Sequence, residues 1–192
     1  HMTLALAMGA DEAFLLTDRA FAGSDTLATS TIIAAAIKKL GADVVFCGRQ
    51  AIDGDTAQVG PEMAEHLGLP QVSYVVDLNV KNENTVIVKK ETEEGYQMLE
   101  ADTPCVLTVL ASANKARYMS VSGIVNAYNR EVEIWTADSI DVDESKLGLK
   151  GSPTKVQKSF AKGLKQAGEV YEVDAEEAVG IIISKLKEKF II

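Results

Sequence analysis

Apolar residues recur along this chain with two different periods, and the switches between them predict most of its elements. Residues 3–8 (TLALAM) run into Gly9 as the last turns of a helix closing on a glycine. Residues 12–16 (EAFLL) read as a short strand. Residues 25–40 read as a helix whose Ile33, Ala36, Ile37 and Leu40 return at helical spacing before Gly41 stops it. The nearly all-apolar run 43–47 (DVVFC) predicts a strand covered on both faces, and 56–67 a helix ended by Gly68 and Pro70. Strand, helix, strand, loop, helix is the order of parallel βαβ units.

The period then drops to two. Segments 71–80, 85–92 and 95–101 are strand-like, and the turn clusters between them, 81–84 and 93–95, are short enough to force antiparallel pairing. This predicts a meander inserted into the α/β scheme. Residues 106–110 return to buried-strand composition, Ser120 caps a short helix reaching about Asn129, and 131–135 make a last strand. From 137 to 168 apolar density falls, which predicts a stretch lying on another surface or mobile. A final helix starts at an Asp174 cap and carries Val179, Ile182, Ile183, Leu186 and Phe190 as one stripe.

The fold class expected is therefore α/β: a Rossmann-like parallel-sheet nucleotide-binding domain over 3–136, with an inserted antiparallel meander, and a C-terminal arm over 137–192 ending in a helix. Residues 1–2 read as a tag scar. The opening on helical sequence without a capping signal predicts that strand–helix units upstream are missing. Their loss is expected to expose a sheet edge and invite self-association.

Composition narrows the function. The balance of 19 Lys plus Arg against 28 Asp plus Glu gives a net charge of −9, which disfavours nucleic acid as a partner. No apolar run reaches the roughly 20 residues that span a bilayer. Cys47 and Cys105 lie in apolar runs without metal-ligand spacing and read as buried, reduced thiols, which fits the cytoplasm. His66 is the one histidine outside the tag scar, so a histidine triad or zinc site has no basis.

Candidate chemistry concentrates in GRQAIDGDTAQ at 48–58, between a buried strand and a helix. Open α/β sheets place ligands at that junction, and the first amides of a helix there favour a phosphate. Gly48 and Gly54 permit close backbone approach, and Gln50 or Gln58 can donate amide hydrogen bonds. The same residues fit a plain turn in which Asp53 or Asp55 caps the helix. Neither the Walker lysine nor Gly-x-Gly-x-x-Gly spacing is present.

GRQAIDGDTAQ strongly resembles the nucleotide-binding signature of the electron transfer flavoprotein beta subunit. ALAMGAD at 5–11, NKARYMSVSGI at 114–124 and GSPTKV at 151–156 resemble further segments of that family, in order along the chain. The resemblance implies an alpha-subunit partner carrying a redox-active FAD, and AMP in the beta subunit. In electron-bifurcating relatives a second FAD, accepting hydride from NADH, replaces the AMP. Transferred by position, the cofactor contacts fall on Gly48, Gln50, Ala51, Asp53, Gly54, Thr56, Ala57, Gln58 and Val59. Ala57 stands where AMP-binding members often carry a polar residue, which implies an AMP phosphate contact that is either weaker or made by the backbone alone.

Residues 110–130 match the loop by which the family docks acyl-CoA dehydrogenases or similar flavin dehydrogenases. Val121 takes the place of the apolar anchor, Ile124 belongs to the same motif, and Arg117 and Tyr118 brace the loop or the subunit interface. The alternative for Val121 is burial in its own domain. VNAYNRE at 125–131 replaces the lysine-rich run of common members, and the Met-Ser-x-x-Gly-Ile form resembles proteins of anaerobic bacteria, where bifurcation is frequent. The resemblance thus implies an electron carrier rather than an enzyme in its own right. The competing functions are a stand-alone AMP- or ATP-binding sensor of similar fold, and an inert fragment.

Overall fold

A computed structural model describes residues 2–160, 163 and 168–191, and the chain divides into two compact units, His1–Lys155 and Val156–Ile192. His1 of the expected tag scar, and 161, 162 and 164–167 of the expected mobile stretch, lie outside the described residues.

The first unit runs α1 (Met2–Ala7), β1 (Phe14–Leu16), α2 (Thr26–Leu40), β2 (Val44–Gly48), α3 (Val59–Leu67), β3 (Gln71–Asn82), β4 (Thr85–Thr92), β5 (Gly95–Asp102), β6 (Cys105–Val109), α4 (Val121–Tyr128), β7 (Glu133–Trp135) and α5 (Gly148–Gly151). Five strands form one sheet in the order β2-β6-β3-β4-β5. β2, β6 and β3 are parallel, and β3, β4 and β5 form the antiparallel meander. The mixed α/β architecture is the expected one. β3 belongs to both parts: its start lies beside β6, and its longer remainder leaves as the first arm of the meander.

β1 departs from the simple βαβ scheme. It pairs in parallel with β7 in a separate two-stranded sheet. α2 consequently has two apolar sides instead of a single stripe. Ala34 packs with Val45, Met63, Ala64 and Val106 of the large sheet and α3, while Ile32 and Ala36 pack with Trp135, Ile140 and Leu147. Leu40, expected in the stripe, is 46% exposed. Phe14 tilts against Trp135 with ring centroids 4.7 Å apart, so the small sheet is anchored by its one tryptophan.

The place of β6 in the sheet explains why its sequence is mostly apolar. Val106 faces the α2–α3 layer, whereas Cys105 and Leu107 enter a second core with Val72, Val75, Val86 and Val88. All of Cys105, Val106 and Leu107 are fully buried. A central parallel strand has no solvent face, so alternation disappears.

Helix ends follow the predicted chemistry. Asp25 accepts from the Ala28 amide at 3.1 Å, and Gly41 and Gly68 close α2 and α3 with φ of 66° and 65°. Ser120 Oγ accepts the Gly123 amide at 2.9 Å at the head of α4.

Residues 137–152 do not leave the domain as expected. They form two short 3-10 turns and α5, burying Ile140 and Leu147 against α2. Ser152, 3% exposed, accepts the Asp25 amide at 2.8 Å. Sparse apolar residues placed at the right contacts were enough; density along the sequence was the wrong measure. The division therefore falls after Lys155 rather than after residue 136.

The second unit contains α6 (Ala175–Glu188), capped by Asp174, which accepts from the Glu176 and Glu177 amides. Val179, Ile182 and Ile183 of its stripe are exposed, and Phe190 lies beyond the helix end. Among the described residues no helix is long and apolar enough to cross a membrane.

Candidate functional site: the cleft over the β2–α3 loop

Pairing with β6 carries β2 as far as Gly48, opposite Val109. The chain then crosses the end of the sheet through residues 49–58 and enters α3 at Val59, three residues later than the predicted start at Thr56. Asp55 and Ala57 explain the delay. Their φ values of 51° and 54° are left-handed and cannot belong to a right-handed helix. Neither aspartate caps α3. Asp53 accepts from the Gly54 amide at 2.9 Å, and Asp55 accepts from the Gln50 side-chain amide.

The head of α3 has no side-chain cap, and Gln58 before it is right-handed helical. A left-handed residue followed by a right-handed one turns successive N–H groups toward one side, which is how a backbone nest cradles an anion. Pro61 supplies no N–H, so the donors at this helix head are concentrated in Gln58, Val59 and Gly60.

The loop walls a cleft of about 760 Å³, within the size range of nucleotide and cofactor sites. All nine residues expected to contact a cofactor, Gly48, Gln50, Ala51, Asp53, Gly54, Thr56, Ala57, Gln58 and Val59, line it. The opposite wall was not anticipated: Ser24, Asp25, Thr26 and Thr29 at the head of α2. Their signal in the sequence was a helix cap, which says nothing about what the helix head faces.

Two glycines border this cleft without a packing role. A Cβ on Gly48 or Gly54 would meet no protein atom within 4 Å, and neither has a positive φ. The fold therefore does not require glycine at either position. Gly60 differs, because a Cβ there would lie 2.6 Å from Thr108 Cγ2. Gly60 serves packing, whereas Gly48 and Gly54 leave space open beside the loop.

Polar contacts join the two helix heads. Thr26 Oγ1 lies 3.3 Å from both Gln58 Oε1 and Glu62 Oε1 and shares its one proton between them, and Ser30 Oγ lies 3.3 Å from Glu62 Oε2. His66 meets Thr31 at 3.2 Å, a packing role. Burial raises the Asp25 pKa, but hydrogen bonds from the Ala28 and Thr154 amides and the Thr154 and Ser152 hydroxyls outweigh it and hold the carboxyl below its ordinary value. Cys47 at the cleft floor is only half-buried, against expectation, while Cys105 is buried. Burial pushes both thiols up, so neither is a thiolate nucleophile at neutral pH.

The residues expected to bind partners gather elsewhere; none of Arg117, Tyr118, Val121 and Ile124 lines the cleft. Tyr118 and Val121 are 98% and 80% exposed, and Ile124 is 37% exposed, so Val121 is not buried in its own domain. Arg117 approaches Gly9, where a Cβ would lie 3.8 Å from its Cζ. α4 is seated on α1 so tightly that a Cβ on Gly123 would fall 2.4 Å from the Ala7 carbonyl oxygen.

The family model described as the electron transfer flavoprotein domain matches residues 3–140. The chain is 60% identical over 185 residues to an electron transfer flavoprotein subunit beta of Clostridium acetobutylicum, covering 96% of this chain and 71% of that protein. It is 51% identical over 189 residues to the subunit of the same name from Thermoanaerobacterium thermosaccharolyticum, covering 98% and 72%. It is 48% identical over 189 residues to the caffeyl-CoA reductase-Etf complex subunit CarD of Acetobacterium woodii, covering 97% and 72%.

Proposed function

This chain belongs to the electron transfer flavoprotein family, as a beta subunit with an electron-transfer role, and from that premise we propose that its cleft holds an adenine nucleotide. The observation that carries the reading is the pair Gly48 and Gly54. Both are glycine where neither backbone conformation nor packing demands it, and both border the cleft. Close approach of a ligand accounts for them. The uncapped amides of Gln58, Val59 and Gly60 take the phosphate, and the helix dipole supports its charge. Asp53 and Asp55 accept from the Gly54 amide and the Gln50 side chain, which orders them within the loop.

The nucleotide is AMP or the adenine end of a second FAD. When FAD is bound, its isoalloxazine supplies the electron chemistry; the residues of this chain bind and orient. We assign the principal FAD to a complex with an alpha subunit. The exposed stripe Val179, Ile182 and Ile183 of α6, in the arm, docks on that partner. Val121, with Ile124, docks an acyl-CoA dehydrogenase or similar flavin dehydrogenase as an apolar anchor, and Arg117 and Tyr118 brace that surface. Likeness to a subunit of a caffeyl-CoA reductase-Etf complex supports the bifurcating form, in which NADH donates the electron pair. We place the protein in a bacterial cytoplasm, where both cysteines stay reduced. A stand-alone adenylate sensor leaves the apolar face of α6 without a use.

The test is to co-express the protein with its alpha subunit and quantify flavin and AMP released on denaturation. One flavin and one AMP per heterodimer identify the AMP form. Two flavins, both bleached by NADH, identify the bifurcating form. A heterodimer holding no adenine nucleotide beyond the principal FAD overturns the assignment of the cleft.

A further inference from the structure

Tyr74 interrupts a strand. Its φ of 61° is left-handed, a conformation that a bulky side chain rarely adopts. It lies in β3 where pairing with β6 loses register between Val72 and Val75. Its amide turns away from the ladder and donates to Thr108 Oγ1 at 3.2 Å. Thr108 is itself 3% exposed, so the hydroxyl that receives this bond is fixed by packing.

The bulge directs the Tyr74 ring to the start of the cleft loop. The Arg49 guanidinium stacks over that ring, 5.5 Å from its centroid. Beyond the other end of the loop, Gly60 packs on the methyl of Thr108, the residue whose hydroxyl holds the Tyr74 amide. Arg49 at one end thus meets Tyr74, Gly60 beyond the other meets Thr108, and the Tyr74 amide bond to Thr108 links the two contacts. Arg49 borders the cleft; Tyr74 does not.

We propose that Tyr74 is a positioning residue: stacked beneath Arg49 and tied to Thr108, it holds the 48–58 loop in the form that accepts a nucleotide. This rests on the nucleotide reading of the cleft. Tyr74 acts through the loop without touching the ligand, and the aromatic face, not the hydroxyl, is the working part.

The heterodimer is titrated with AMP by calorimetry after removal of bound nucleotide, and the ligand-free protein is digested with trypsin to follow cleavage after Arg49. Exposed cation–π stacks of this kind correspond to roughly two- to fivefold in an equilibrium. Tyr74→Leu is expected to weaken AMP and speed cleavage by about that factor, while Tyr74→Phe restores both to within experimental error. In an Arg49→Gln background, which keeps the fold because the side chain is exposed, Tyr74→Leu adds no further loss of AMP affinity. Wild-type behaviour of Tyr74→Leu in both assays, or additive losses in the double variant, overturns the proposal. If the unaltered heterodimer binds no AMP while Tyr74→Leu still speeds cleavage and Tyr74→Phe does not, the clamp stands and the nucleotide reading alone falls.

Discussion

Gly60 and Thr108 are in direct contact: the space for a Cβ on Gly60 is already taken, 2.6 Å away, by the Thr108 methyl. The head of α3 is thereby set against β6, and with it the amides that face the cleft. Gly60→Ala must push the helix off the sheet, an overpacking expected to cost about 1–3 kcal/mol. Urea denaturation measures it. A loss below about 0.5 kcal/mol, the range of neutral surface changes, would show that α3 shifts freely and that the contact does not position it.

Gly48 and Gly54 should respond in the opposite way. The Cβ added by Gly48→Ala or Gly54→Ala meets no protein atom within 4 Å, so thermal stability is expected to change little. Nucleotide binding by the heterodimer is expected to fall by at least tenfold, because the added side chains enter the ligand's space. Unchanged affinity would remove the main support for the cleft as a nucleotide site.

Val121 and Gly123 separate docking from folding on one helix. Val121→Asp alters a side chain that is 80% exposed and should leave stability within about 0.5 kcal/mol. Electron transfer to the partner dehydrogenase should drop at least tenfold, as for an interface anchor. Gly123→Ala collides with the Ala7 carbonyl and should lower the melting temperature instead. Normal transfer by Val121→Asp would move the docking surface elsewhere.

Asp25 predicts an acid limb. Its folded-state pKa is depressed, so its contribution is present above the ordinary carboxylate value of about 3.9 and is lost as pH falls through the lower folded value. Asp25→Ala removes both the α2 cap and the acceptor for Thr154, and at neutral pH should cost about 1–2 kcal/mol. Denaturation curves of the two proteins should converge as pH drops below 4. A gap that stays constant down to pH 2 would mean that the carboxylate's charge is not what stabilises this corner.

Local rules read well where the cause was local. Gly41 and Gly68 end helices in a left-handed conformation that glycine adopts without a Cβ penalty, and Asp25 and Ser120 start them by supplying an acceptor. The 71–102 meander followed from alternation and short turns. The start of α3 was misread because nothing in DGDTA announces left-handed backbone at both Asp55 and Ala57. The packing of 137–152 on α2 was misread because its buried apolar anchors, Ile140 and Leu147, are few, and their partners on α2 lie a hundred residues earlier.

Chain chemistry alone thus fixed the elements, the family likeness and the loop that walls the cleft, since periodicity, caps and a contiguous motif are properties of neighbours in sequence. Only the tertiary structure decided that α2 is shared by two sheets, that its head forms the facing wall, and that Thr108 meets both Tyr74 and Gly60. Those relationships join residues from separate strands and helices. Packing selects them, and no short window of sequence contains both partners.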